Sequence, residues 1–182
     1  VIKYGPIADL VFMDWLEQHV DALRARDPQA LAVAVRRSCQ IKAWVVGQDE
    51  QESGMRAILN YGHTFGHAIE AGLGFGSWLH GEAVGCGMVM ASELSARLGL
   101  VDGAFVQRVR ALVQRAGLPV VAPRLAADDA ANVEEWLHHM RVDKKAEAGE
   151  IRFVVIAHAG EAALARAPDS LVAEVITACS QG

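Results

Sequence analysis

Residues 56–82 read RAILNYGHTFGHAIEAGLGFGSWLHGE, and the order of pieces in this stretch decides the fold class. Apolar residues recur at helical spacing before its glycines and again after them. The spacing predicts one helix over Met55 to Ala71, stopped by Gly72, and a second, rich in Ala and Met, over Glu82 to Leu98, closed by Gly99. Gly72, Gly74 and Gly76 form the turn between them. These glycines follow a helix rather than a strand and lack the G-x-G-x-x-G spacing, so they are not a nucleotide-binding loop.

Working outward, the chain keeps reading as helix. Pro6 with Asp9 opens an apolar run from Leu10 to Val20. Asp27-Pro28 is an N-cap followed by proline at the first helical position. Beyond it, Leu31, Val35, Cys39 and Val46 are expected to share one buried face up to Gly47. Asp102 caps Ala104 to Ala116, Asp128 or Asp129 caps a helix through Trp136 to Met140, and Asp169 caps Leu171 to Cys179. Leu118 to Ala127 reads as a loop between two helical groups. Ile151 to Ala157 differs: it is β-branched and aromatic between turn residues, and Ala162 to Ala165 can pair back on it as a hairpin. The expected fold is therefore mainly α, multi-helical, with one small β-hairpin. A doubly wound sheet would need alternating strands and helices, which are absent here.

Of the 182 residues, 52% are hydrophobic, enough for a sizeable core, and the net charge of -5 carries no long run of either sign. That balance argues against nucleic acid or an anionic membrane as main partner. No apolar stretch is long enough to span a bilayer. The opening VIKYGPIADL has neither a basic n-region nor a cleavage site and starts on an apolar run, so the chain is expected to begin inside a larger protein. Three widely spaced cysteines, Cys39, Cys86 and Cys179, read as reduced, buried thiols of a cytoplasmic protein.

Three of the seven histidines, His63, His67 and His80, fall in the opening stretch. His63 and His67 are four apart, on one helix face, and the glycine turn can fold His80 back to them. Two imidazoles and a carboxylate make a common catalytic metal shell with an open position, and Arg56, Asn60, Glu70 and Glu82 lie in the same stretch. The H-x-x-x-H spacing lacks the glutamate of H-E-x-x-H. A lone histidine is more often a satisfied structural residue than a ligand; the crowding of three here shifts that balance. His19, His138, His139 and His158 have no such company and read as structural or surface residues.

LNYGHTFGHAIEA followed by WLHGEAVGCGMVMA closely resembles the signature of the 3-dehydroquinate synthases. VIKYG, IKAWVVGQDEQESGMRAILN and MRVDKKAEAG resemble further blocks of that family in the same order, so the resemblance runs from Val1 to about Ala165. It implies that residues 1–182 are the C-terminal helical metal- and substrate-binding domain, with an N-terminal NAD-binding domain outside this chain. It also implies a divalent metal, zinc or cobalt, on two histidines matching His63 and His80 and on a glutamate directly before Val1.

The same resemblance assigns His67, Asn60 and a lysine of Lys144-Lys145 to the substrate phosphate. Lys42 and Arg56 match the pair that holds its carboxylate, and Lys3 matches a lysine on its hydroxyls near the metal. His67, Lys3 and Asn60 are thereby the catalytic candidates. The reaction implied is conversion of 3-deoxy-D-arabino-heptulosonate 7-phosphate to 3-dehydroquinate and phosphate in the shikimate pathway. It runs through hydride transfer to NAD, phosphate elimination, re-reduction, ring opening and aldol closure. The expected partner is this small anionic sugar phosphate, the expected assembly a homodimer, and the isolated chain is expected to be inactive. Two alternatives remain: a related sugar-phosphate cyclase of aminodehydroquinate, inosose or valiolone type, and a non-catalytic helical dimerisation domain.

Overall fold

In the computed structural model, which describes residues 1–49, 54–143 and 151–180, aspartates start most of the helices. A short helix α1 (Tyr4–Ala8) leads into α2 (Leu10–Arg24), where the Asp9 carboxylate accepts from the Phe12 amide at 2.9 Å. Helix α3 (Pro28–Gln48) starts the same way, Asp27 accepting from Ala30 N at 2.8 Å with Pro28 at the first position. A 3-10 helix (Met55–Asn60) precedes α4 (His63–Leu73) and α5 (His80–Arg97). Asp102 caps α6 (Gly103–Arg115), and Asp128 accepts from Ala131 N at the start of α7 (Asp129–Asp143). Strands β1 (Arg152–His158) and β2 (Glu161–Arg166) form an antiparallel hairpin, and α8 (Asp169–Ser180) ends the described chain.

Helix α5 is the axis of the core. It packs against α4, α6, α8 and β1, and is buried from Ala83 to Ser95 except at Glu93. Its small residues make this possible. Ser95 Oγ donates to the Ala91 carbonyl and accepts from the Ile156 amide at 2.9 Å, tying the hairpin to the helix. Phe153 to Ile156 on β1 are all buried rather than alternating, because α5 packs on that strand while α1 and the 3-10 helix pack on the hairpin too. Phe153 meets Phe65 of α4 with ring centroids 5.4 Å apart. On the far side, Arg108 of α6 grips α2, its guanidinium donating twice to Glu17, at 2.9 and 2.8 Å, and once to Asp14.

The expected mainly helical fold with one hairpin is what forms, and the Leu118–Ala127 loop lies between α6 and α7 as anticipated. Four local expectations are corrected. Helix α3 buries Ala30, Ala34, Ser38, Ile41 and Val45, not the face of Leu31, Val35 and Cys39, which are exposed. Small residues let α3 lie close on its neighbours, and Ser38 satisfies its own hydroxyl on the Ala34 carbonyl at 2.7 Å. Cys39 is therefore a surface thiol, while Cys86 and Cys179 are buried. Asp169 is the first residue of α8 rather than its cap and pairs with Arg141 of α7. Finally, Met55–Ala71 is not one helix: the chain breaks at Tyr61–Gly62, with Gly62 at φ 81°. Among the described residues no helix is long and apolar enough to cross a membrane.

Candidate metal centre and anion pocket

The break at Gly62 is built by contact. A Cβ there would lie 2.7 Å from the Met88 amide nitrogen and 2.8 Å from the Val84 carbonyl of α5, in a backbone conformation L residues rarely adopt. Tyr61 just before it is fully buried; its hydroxyl donates to the Met88 carbonyl at 3.0 Å and lies against Ser92 Oγ. With both residues pinned to α5, α4 starts at His63, and the Tyr61 carbonyl faces His63 Nδ1 at 3.2 Å. His67 follows one turn later. The turn through Gly74 (φ 84°) and Gly76 (φ 95°) then reverses the chain so that α5 begins with His80.

The three imidazoles converge. Ring centroids are 5.5 Å apart for His63–His67, 5.5 Å for His63–His80 and 6.0 Å for His67–His80. Glu70, one further turn along α4, places both carboxylate oxygens 3.2 Å from His80 Nδ1. One ligand atom from each of His67, Glu70 and His80 lies within 4.8 Å of the others, a spacing a metal ion could bridge. Glu82, the other carboxylate of the stretch, is taken by structure: it accepts from the Leu79 amide at 2.8 Å and caps α5. His63 has its basicity lowered from the ordinary 6.5, by burial above all. The Tyr61 carbonyl opposes this, while the charges of Lys3, His67 and His80 add to it. A histidine held neutral keeps a lone pair available for a metal.

Lys3 joins this group to a second feature. It lines a cavity of about 410 Å³ together with Tyr4, Lys42, Arg56 and Asn60. Its ammonium donates to the Leu59 carbonyl at 2.7 Å and sits 5.7 Å from the Tyr4 ring centroid. Burial, and secondarily the Lys42 charge, lowers its pKa. The described lining holds three cations and no carboxylate, so the cavity suits an anion. Arg56 is delivered to it by Asp49, a buried carboxylate at the end of α3 that accepts from the amides of Gly54, at 2.8 Å, and Arg56, at 3.0 Å. Replacing Asp49 by alanine leaves these amides without that acceptor. It is expected to cost about 1–3 kcal/mol in urea unfolding and to weaken anion binding in the cavity by displacing Arg56.

Lys3, Lys42, Arg56 and Asn60 thus share one cavity, and His63, His67 and His80 form the adjoining group. Lys144 and Lys145 lie outside the described residues. Two site residues went unassigned in the sequence. Tyr4 carried no signal. Glu70 did, standing three residues after His67 on the same helical face.

The profile of the family described as 3-dehydroquinate synthase C-terminal matches residues 1–146. The chain belongs to this family. It is 61% identical over 170 residues to proteins named 3-dehydroquinate synthase from Bordetella pertussis and Bordetella bronchiseptica, matching 93% of its own length. The match covers 46% of theirs, so the chain spans about half the length of the curated relatives it matches. Among solved structures, it resembles ValA, a 2-epi-5-epi-valiolone synthase from Streptomyces hygroscopicus subsp. jinggangensis solved with NAD+ and Zn2+ bound. The TM-score is 0.84 at 22% identity over 99% of this chain and 49% of that one, a likeness of fold. It also resembles a 2-deoxy-scyllo-inosose synthase complexed with carbaglucose-6-phosphate, NAD+ and Co2+, with TM-score 0.68 at 26% identity over 82% of this chain and 42% of that one.

Proposed function

We propose that the chain is the metal- and substrate-binding half of a cytoplasmic 3-dehydroquinate synthase, and that residues 1–182 form one domain working with an NAD-binding half. The joined enzyme converts 3-deoxy-D-arabino-heptulosonate 7-phosphate to 3-dehydroquinate and phosphate. The observation that carries this reading is the junction at Lys3 of a three-histidine group with a cavity lined by cations.

His63 and His80 fit two positions of a divalent-metal site, zinc or cobalt, whose third ligand is the glutamate before Val1. His63 and His80 each have Nδ1 against an oxygen acceptor, the Tyr61 carbonyl and the Glu70 carboxylate, which leaves each Nε2 for a ligand bond. A metal held there supplies Lewis acidity at adjacent substrate hydroxyls and at the carbonyl that oxidation creates. The chain's own residues do the rest. Arg56 binds the substrate carboxylate with two parallel hydrogen bonds and Lys42 adds a point charge. Lys3, with its lowered pKa, donates to a substrate hydroxyl at the boundary of the two features. Asn60 and His67, with Lys144 or Lys145, hold the phosphate, and His67 accepts a proton as the phosphate leaves. The exposed Phe75 and Leu79, on the turn before His80, provide apolar surface for the second half to cover.

The Arg56–Lys42 pair separates this reading from the valiolone- and inosose-type cyclases, whose substrates lack that carboxylate. The test is turnover with the NAD-binding half supplied, with NAD and cobalt present. The joined protein is expected to release phosphate from the heptulosonate phosphate, and Arg56→Ala is expected to lose about 100-fold or more in kcat/KM, in line with loss of a charged hydrogen-bonding pair. Equal turnover of a carboxylate-free sugar phosphate, untouched by Arg56→Ala, would reject the assignment. No turnover in any combination would leave a non-catalytic helical domain.

A further inference from the structure

His80 is the candidate ligand with the least packing around it. Its side chain is 58% exposed and it follows a turn of two left-handed glycines. Its Nδ1 faces Glu70, whose own side chain is only 12% exposed on α4. His63, His67 and Glu70 stand at i, i+4 and i+7, one face of α4, so the carboxylate reaches His80 from the helix that carries the other two imidazoles. An ionised carboxylate only accepts hydrogen bonds. A neutral His80 with Nδ1 at 3.2 Å from both Glu70 oxygens must therefore carry its proton on Nδ1. The lone pair then resides on Nε2. His63 reaches the same state through a backbone carbonyl, which a fixed chain break supplies. His80 has no such break beside it, and a side chain takes the carbonyl's place.

We propose that Glu70 is a positioning residue for His80: it fixes the Nδ1–H tautomer and the ring orientation, and so presents Nε2 to the metal. This rests on the reading of His63 and His80 as ligands. A carboxylate accepting from the far nitrogen of a ligand histidine also raises the ligand's basicity, and its loss typically weakens metal binding about 10–100-fold. The competing role is direct ligation, which the close grouping of His67, Glu70 and His80 would permit. An amide distinguishes the two roles, since its oxygen still accepts from Nδ1–H but binds a divalent metal poorly.

The deciding measurement is long-range 1H–15N NMR of the metal-free chain at about pH 8, well above the ordinary imidazole pKa. Wild type and Glu70→Gln are expected to show His80 protonated on Nδ1. Glu70→Ala is expected to move the proton largely to Nε2, the form free imidazole side chains favour; Glu70→Met replaces it if the alanine variant does not fold. Cobalt titrations of the same variants in the protein joined to its NAD-binding half, which includes the glutamate before Val1, are expected to show a loss of about 10–100-fold for Glu70→Ala and only a few-fold change for Glu70→Gln. An unchanged tautomer in Glu70→Ala overturns the proposal. So does a Glu70→Gln loss as large as that of Glu70→Ala, which would make Glu70 a ligand. A wild type that binds no cobalt yet keeps the Nδ1–H tautomer in a Glu70-dependent way would sink the metal reading alone, so the two failures are distinguishable.

Discussion

Gly87→Ala is expected to destabilise the chain by about 3 kcal/mol or more, at or above the upper end of ordinary overpacking. A Cβ at position 87 would stand 2.1 Å from the Gly62 carbonyl oxygen and 2.9 Å from the Gly66 amide nitrogen. Both atoms are backbone, and they bond to each other, the Gly66 amide donating to the Gly62 carbonyl at 2.9 Å. Neither can swing aside as a side-chain tip could. Relief requires α4 and α5 to part, and this contact lies at the centre of the core. Gly81→Ala is the control. It sits in the same helix with nothing within 4 Å of its added Cβ, and is expected to be neutral or to stabilise by up to about 1 kcal/mol. Urea unfolding followed by circular dichroism reads both. A Gly87→Ala midpoint equal to that of wild type would show that the two helices are not locked by this contact.

His63→Ala and His80→Ala are each expected to lose more than about 100-fold in cobalt or zinc affinity, beyond what loss of a partner outside the coordination sphere costs. His67→Ala is expected to retain binding to within about 10-fold, the smallest loss ascribed to such a partner. The three rings are nearly equidistant, so proximity alone does not rank them. His63 and His80 come first because they match the family's ligand pair, and each has an oxygen acceptor at Nδ1. Calorimetric titration of the three variants decides the set. If His67→Ala abolishes binding while His63→Ala spares it, the ligands are His67, Glu70 and His80. The role assigned to His67 at the phosphate then fails with the metal assignment.

Local chemistry made much of this legible in sequence. Asp9, Asp27, Asp102 and Asp128 act as caps because a short carboxylate beside the first free amides needs no tertiary help. The hairpin followed from a β-branched run between turns, and the histidine grouping from helical spacing plus a glycine turn. What the sequence hid depends on distant contacts. Gly62 sits inside an apolar pattern that reads as uninterrupted helix, and only the α5 backbone pressing on it dictates its conformation. The buried face of α3 is the one with small residues, whereas a reading of apolar pattern favours the large ones. Lys3, Lys42 and Arg56 come from separate elements, so no spacing rule could place them around one cavity; only the family resemblance grouped them. Glu70 lay in plain view, but its partner is ten residues away across a reversal.

The two halves of the site also differ in how freely they can be rewritten. The imidazoles ride on α4 and α5, which are fused by glycine backbone contacts, so the frame that carries them is the core itself. The cations ride on the segment before α1, on α3 and on the 3-10 helix, where Lys42 is exposed and the Arg56 amide bonds to the Asp49 carboxylate. Mutation can therefore exchange the cavity's cations without touching the frame that holds the histidines. A scaffold divided in this way is suited to diversification. Its lineages should keep the glycines and histidines in step while the cation set drifts, and a change of substrate should be reachable through few substitutions, each compatible with a folded protein.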